Sequence, residues 1–472
     1  MIPDRGAWAA DRRLLTAGLI GLVTAAAFEG MAVPTILPAM VRELGGLDLY
    51  GWAFSAFWLT NIIGITLAGS DADRQGPARS LVIGTVLFAV GLVLSGVADS
   101  MPLVIAGRAI QGFGSGAIGS VVYASIARSY APSARPRMIA LVSSAWVVPG
   151  LVGPAAAGFV ADAASWRWVF LGIVVPVLLM GAAVYPQLAP LGRVKRPMEP
   201  TRRDSRRALD AAQLALGSTL LLTALSIGQP VIAVGLVAFG GAMAVAALRH
   251  LLPRGSLRLA AGRPSVVAAI FVVGFAFFGT EAYVPLTVVE VRGGSVTLGG
   301  LALSAAAVTW ATGAWLQARA AAASIRRTVV VIGAALIAVG IGITSLVLIP
   351  SAPLIVAAVG WGVAGLGMGL AYSMLALLML ESAPPGEEGI SSAALQLMFT
   401  LGTAFGAGVG GAVIALADAG TLELSAALSI VNAMMLVVAI LALLVALRVP
   451  PRPSPSKAPR DARSAAVPLE HP

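Results

Sequence analysis

Three ionisable residues stand inside stretches that otherwise carry no charge: Glu29 in the run from Leu14 to Met40, Arg108 in the fourth apolar segment and Glu281 in the ninth. An ionised side chain facing lipid costs about 2.5–3.5 kcal/mol on insertion scales, so such groups turn toward the protein interior or a watery cavity. There a carboxylate can exchange a proton, hold a fixed cationic partner, or bind a cationic ligand. For Glu29 two readings stay open, a proton carrier and a permanent ion pair with Arg108. Glu281 has no basic residue at the corresponding place in its half, and proton uptake or capture of a cationic substrate both fit it. Glu290 and Glu381 lie at segment ends, where snorkelling to water accounts for them.

The elements that position these groups follow from composition. The chain has 472 residues, 58% hydrophobic and 11% charged, against about 25% charged in a soluble globular protein. Apolar runs of 18 or more residues recur throughout, each long enough to cross a bilayer core of about 30 Å as a helix. Period-2 alternation is absent, which excludes a membrane barrel. The pattern predicts spans near 14–40, 51–70, 80–98, 102–127, 138–160, 168–188, 211–228, 230–248, 265–291, 297–318, 328–349, 353–381, 390–417 and 424–448. The segment 211–248 is the weak point, readable as two short spans or as a hairpin lying on the membrane, so that twelve spans is the alternative to fourteen.

With both termini cytoplasmic, 27 Lys and Arg fall on the inside and three (Arg42, Arg167 and Arg292) on the outside. That asymmetry is the positive-inside signal, and it also explains the net charge of +10 without nucleic acid. The N-terminal MIPDRGAWAADRR precedes an apolar run longer than a signal-peptide core, so the first span is expected to be retained. At about 1.5 Å per residue, Glu29 lies about 22 Å and Glu281 about 24 Å from the cytoplasmic start of its span, and Arg108 about 20 Å above the inner surface. All three fall in one slab of the membrane.

There is no cysteine, and the two histidines, His250 and His471, lie in a basic loop and the tail. No metal site is expected, and neither a phosphate-binding loop nor a catalytic constellation is present, so an enzyme is not indicated.

An internal repeat organises the chain. Glu29-Gly-Met-Ala-Val-Pro34 resembles Glu281-Ala-Tyr-Val-Pro285, with the acids offset by 252 and the prolines by 251, and Gly112-Phe-Gly114-Ser-Gly116 resembles Gly365-Leu-Gly367-Met-Gly369 at an offset of 253. Pro132 and Pro385 follow the two glycine-rich spans at the same offset. Parallel repeats with a site at their interface are a known transporter architecture. The expected organisation is a cytoplasmic N-terminus (1–13), a six-helix bundle (14–188), a basic linker (189–264) containing a two-helix insertion (211–248), a second six-helix bundle (265–448) and a disordered tail (449–472).

Several motifs resemble those of the major facilitator superfamily, in particular its fourteen-span drug:proton antiporters. Gly69-Ser-Asp71-Ala-Asp73-Arg74-Gln-Gly76-Pro77-Ala78-Arg79 is similar to the signature loop after the second span, although Asp71 and Pro77-Ala78 depart from it. The resemblance implies a conformational latch built on Gly69, Asp73, Arg74 and Gly76, with Asp73 suited to cap a helix N-terminus. The matching loop of the second half, Gln317 to Arg327, has lost the pattern. Arg108-Ala-Ile-Gln111-Gly112 resembles a motif whose Arg is associated with proton coupling. Gly150, Gly153, Pro154 and Gly158 resemble the fifth-span motif that marks exporters, with Ala157 where Gly is usual; a structural hinge explains these residues equally well. Trp166-Arg167-Trp168 resembles an outer-loop signature of drug exporters.

The resemblance implies an all-α polytopic membrane protein of two pseudo-symmetric six-helix halves plus two extra central helices. It implies proton-coupled efflux of lipophilic drugs or similar small molecules, cations among the candidates, with Glu29, Arg108 and Glu281 in proton coupling and no cofactor beyond the proton gradient. Asn61, Gln111, Trp146 and Trp310 are the expected substrate-cavity residues, since flat apolar walls with a few polar groups suit such ligands. Export of a lipid or endogenous metabolite, or facilitated transport without protons, are the alternatives on the same fold. The expected setting is a monomer in a bacterial inner membrane, in contact with lipid and a small lipophilic substrate.

Overall fold

The computed structural model describes residues 8, 12–131, 133–192, 202–253, 255–258, 262–319, 325–383 and 388–449. Pro132, Pro385, residues 193–201 of the linker, 320–324 and the tail from Pro450 lie outside them. The described residues are almost wholly helical: α1 Arg13–Leu44, α2 Tyr50–Gln75, α3 Pro77–Gly96, α4 Met101–Ser129, α5 Arg135–Ser144, α6 Val147–Ala163 and α7 Arg167–Leu188 in the first half; α8 Arg202–Ser226 and α9 Pro230–Leu251 between the halves; then α10 Arg263–Glu281, the short α11 Val284–Leu286, α12 Val296–Arg319, α13 Arg326–Ser345, α14 Ile355–Glu381, α15 Glu388–Asp418 and α16 Leu424–Ala446. Among the described residues, twelve helical stretches are both long and apolar enough to cross a membrane. Two further elements, the 29-residue α4 and the broken α5–α6, pack inside the same bundle, so each of the fourteen expected segments is helical. The 211–248 segment forms α8 and α9, stacked on each other, with α8 leaning on α2 and α15 where the halves meet.

The repeat governs packing. In α4, a Cβ added at Gly112 or Gly116 would lie 2.0 or 2.3 Å from the carbonyl oxygens of Phe57 and Asn61 on α2, while Gly114 faces the backbone of α3. In α14, Gly365 and Gly369 stand 2.3 and 2.2 Å by the same measure from the carbonyl oxygens of Ala306 and Trp310 on α12, while Gly367 faces α13. The two glycine triplets therefore let α4 and α14 wedge between corresponding neighbours at backbone distance. In lipid, where the hydrophobic effect does not draw helices together, small residues at such contacts supply the packing.

Two expected spans are not continuous, and proline is the physical reason in each. A proline removes one N–H and collides with the carbonyl four residues before it. Pro149 disallows the helical carbonyl of Ala145, and the 138–160 segment turns at Ala145–Trp146 between α5 and α6. Pro285 does the same to Glu281, and the 265–291 segment breaks at Ala282–Tyr283, then re-forms as α11 and a π-helical turn, Thr287–Val291.

Two seams join the halves, α6 against α12 and α2 against α15. Their polar contacts gather at the end of the molecule away from the chain termini. Arg42 donates to Glu290 at 2.8 Å, the Tyr50 hydroxyl to the Ala282 carbonyl at 3.0 Å, and Ser55 to the Ala404 carbonyl at 2.7 Å. The Tyr50 and Tyr283 rings stack at 5.4 Å between centroids, and the Tyr283 hydroxyl donates to the Ala407 carbonyl.

Candidate functional site

In the first half, Glu29 of α1 and Arg108 of α4 form an ion pair that is almost wholly removed from solvent, at 0% and 1% exposure. Arg108 also donates to the Gln111 Oε1 at 2.9 Å, one helical turn along α4, and through Nε to the Ala53 carbonyl at 3.1 Å. Its guanidinium lies 4.2 Å from the centroid of the Phe57 ring, a favourable placement for a cation over an aromatic face. The cluster is well but not fully satisfied, since Glu29 Oε2 and Gln111 Nε2 have no hydrogen-bond partner. Buried pairs of this kind are costly to break, because a stranded charge remains behind.

In the second half, Glu281 ends α10 beside its proline-induced break and is partly exposed. No ion pair involves it among the described residues. The repeat offset of 253 carries Arg108 onto Trp361 of α14, and the side chain that Glu281 faces is the Trp361 indole. That indole is fully buried, stacked on Phe277 at 4.6 Å, and its N–H makes no hydrogen bond of good geometry. One half thus sets a guanidinium before its carboxylate, and the other sets an uncharged indole there.

The expected substrate-cavity residues do not converge. Asn61 and Gln111 are buried inside the first half, Asn61 donating to the Gly112 carbonyl at 3.3 Å. Trp146 stands 43% exposed at the α5–α6 turn, with no ring contact among the described residues, because the Pro149 break carries it off the helix interior. Trp310 belongs instead to an aromatic wall in the second half. It lies 5.6 Å from Phe277, 6.3 Å from Phe278 and 6.0 Å from Tyr372, and Tyr372 is 4.9 Å from Phe399. Phe278, Trp310 and Tyr372 keep part of their surface open. Tyr123 of α4, 55% exposed, lies across from Tyr372 within electrostatic range.

At the signature loop, Gly69 lies near Ser120 of α4, and Gly76 takes φ 90° between α2 and α3, a conformation that favours glycine. Asp73, expected to cap a helix, sits in the last turn of α2, and its side chain lies outside the described residues. Across the Gly76 turn Asp71 accepts from Ser80 at 2.6 Å and lies 3.9 Å from Arg79, Arg79 donates to the Gln75 Oε1 at 2.6 Å, and Arg74 is half-buried. In the fifth-span motif, Pro154 and Gly158 meet α12 directly: a Cβ at Gly158 would lie 2.7 Å from the Thr297 Cα, and one at Gly300 2.2 Å from the Pro154 carbonyl oxygen. Gly150 lies near Ala307 of α12 and Met31, and Gly153 near Phe28. Glu290 and Glu381 do more than reach water, for they pair with Arg42 and Arg326.

Sequence reasoning passed over Tyr50, Tyr283, Phe278, Tyr372 and Asp162. The Pro285 break, which turns Tyr283 toward α2 and α15, was the available signal for one of them. The rest depend on which helices the fold brings together.

These features define a polytopic membrane protein of two repeated helix bundles with a carboxylate in each. The model of the Major Facilitator Superfamily matches residues 18–407 and 320–471, and the chain belongs to that family. An uncharacterised MFS-type transporter of Mycobacterium tuberculosis is 29% identical over 421 residues, covering 85% of this chain and 59% of the relative, so the chain spans about three fifths of that protein's length. A probable multidrug-efflux transporter of the same organism is 28% identical over 404 residues, covering 82% of this chain and 84% of the relative. A multidrug transporter protein of Bacillus subtilis, MdtP, is 24% identical, covering 85% and 75%. Among solved structures, the inward-facing, unoccupied bacterial homolog of the human lysosomal transporter Spinster superposes with a TM-score of 0.63 at 14% identity, covering 95% of this chain and 99% of that one. The xylose transporter XylE from E. coli does so at 0.59 and 18%, covering 92% and 96%. At these identities the likeness is one of fold.

Proposed function

We propose that this chain is a secondary transporter that exports lipophilic, cationic compounds in exchange for protons by alternating access. In this reading it sits in a bacterial inner membrane as a monomer with both termini cytoplasmic, and it needs no cofactor beyond the proton gradient. Glu281 is the proton-exchanging carboxylate, and Glu29 is held by Arg108 as a packing element of the first half.

The observation that carries the reading is the contrast between the two carboxylates. Glu29 has a fixed cation and no exposure, whereas Glu281 has no cationic partner among the described residues and is partly exposed. A carboxylate whose charge has no fixed partner can be neutralised either by a proton or by a cationic ligand, and competition between the two is what an exchanger requires. The aromatic wall of Phe278, Trp310, Tyr372 and Phe399 offers stacking surface for a flat lipophilic cation. Multidrug efflux in the name of the M. tuberculosis relative supports the direction of transport, and both its name and that of the B. subtilis multidrug transporter support drugs as substrates.

The test is transport of a lipophilic cation in proteoliposomes under an imposed pH gradient. Glu281→Gln is expected to lose gradient-driven accumulation, by roughly 100-fold or more if its proton chemistry is essential. Full gradient-driven transport in that variant would overturn the assignment.

A further inference from the structure

The seam between α6 and α12 carries a feature that the carboxylate pair does not explain. The first turn of an α-helix leaves backbone N–H groups without intrahelical partners. At the start of α12 those groups are shared between two caps from different halves. Ser295, the residue before the helix, takes the Leu298 N–H at 3.2 Å through its hydroxyl. Asp162 of α6 takes the others: its Oδ1 accepts from the Val296 N–H at 3.2 Å, and its Oδ2 accepts from the Thr297 N–H at 2.8 Å and the Thr297 hydroxyl at 2.6 Å.

Asp162 is badly placed for its own helix. It lies in the last turn of α6, where the helix dipole disfavours an acid. It is well placed for α12, whose N-terminus favours one. Its position is also in register with the close contacts below it. Pro154, Gly158 and Asp162 recur every four residues on one face of α6, and they meet Gly300, Val296–Thr297 and the helix start in turn. Directly beside this seam, Thr35 of α1 is fully buried against Gly300.

We infer that Asp162 is a cross-half helix cap that holds the transporter closed at the face away from its termini, and that its three hydrogen bonds break each time that face opens. The division of the cap suits a moving joint. Ser295 travels with α12 and keeps the helix start capped in every state, whereas Asp162 belongs to the other half and binds only when the halves meet. The nearby Arg42–Glu290 pair joins the same face but is an exposed ion pair of the kind that contributes little. The inference requires only that the halves rock, and it is independent of which carboxylate exchanges protons.

The natural absence of cysteine permits a direct test by single-cysteine labelling. Thr35→Cys reports opening at the face away from the termini, and Tyr123→Cys, at an exposed position on α4, reports opening on the opposite side. The rates of maleimide labelling are measured in lipid nanodiscs without substrate or gradient, alone and combined with Asp162→Ala or Asp162→Asn. Asp162→Ala is expected to raise labelling of Thr35→Cys roughly fivefold or more, on the scale of a lost helix cap, and to lower that of Tyr123→Cys. Asp162→Asn, which keeps one acceptor oxygen, should fall between. Ser295→Ala should lower thermal stability without the reciprocal change in labelling. Unchanged labelling in Asp162→Ala would overturn the inference, and so would a rise at both cysteines, which marks loosening of the fold rather than a shift between states.

Discussion

Arg108 of the first half and Trp361 of the second occupy equivalent places in the repeat, one facing Glu29 and the other Glu281. The scaffolds around them match closely. In each, a glycine triplet lets the central helix approach its two neighbours at backbone distance, and a carboxylate projects from the first helix of the half. The side chain opposite the acid differs, and so does the acid's helix, which runs unbroken through Glu29 but ends at Glu281. A guanidinium with bonds to Glu29, Gln111 and Ala53 neutralises its acid permanently and ties α1, α2 and α4 together. An indole brings Glu281 no counter-charge, and none pairs with it among the described residues, which is what the proposed exchange requires. On the proposed function, this one position separates a packing role from a transport role within one fold.

That comparison can be broken or sharpened by exchange. Trp361→Arg gives the second half the chemistry of the first, and pairing Glu281 permanently should reduce gradient-driven transport at least about tenfold in proteoliposomes. Next in size, Arg108→Met strands the Glu29 charge and should cost about 3–5 kcal/mol of stability, read as a fall in thermal unfolding temperature. Adding Glu29→Gln to that variant should recover most of the loss, because an uncharged pair has no orphaned ion. The smallest effect probes the scaffold and not the acids. Gly112→Ala and Gly365→Ala each force a methyl toward a carbonyl of the neighbouring helix, and both should destabilise by about 1–3 kcal/mol to a similar extent. A large difference between the two would break the structural equivalence of the halves.

The sequence made the repeat and the Glu29–Arg108 juxtaposition readable because both are local patterns multiplied by a constant offset. An acid in an apolar run demands a partner, and helix rise places Arg108 at a matching depth. The helical breaks were also written locally, in Pro149 and Pro285, yet a hydropathy window passes over them since neither interrupts the apolar run. Trp146 was expected within a continuous span, and the turn at Ala145–Trp146 instead leaves it exposed at a helix break. Asp73, expected to cap a helix, has its side chain outside the described residues, whereas Asp71 reaches Ser80 across the turn that Gly76 makes. Asp162 could not be read at all, because its partners lie 134 and 135 residues away and become neighbours only when two halves close.

Proton release on ligand binding tests the division of labour between the halves most directly. A lipophilic cation is added to purified protein in weakly buffered detergent solution, and the released protons are followed with a pH-indicating dye. The account predicts release from the native chain and from Glu29→Gln, and none from Glu281→Gln. Release that survives in Glu281→Gln and vanishes in Glu29→Gln would contradict it.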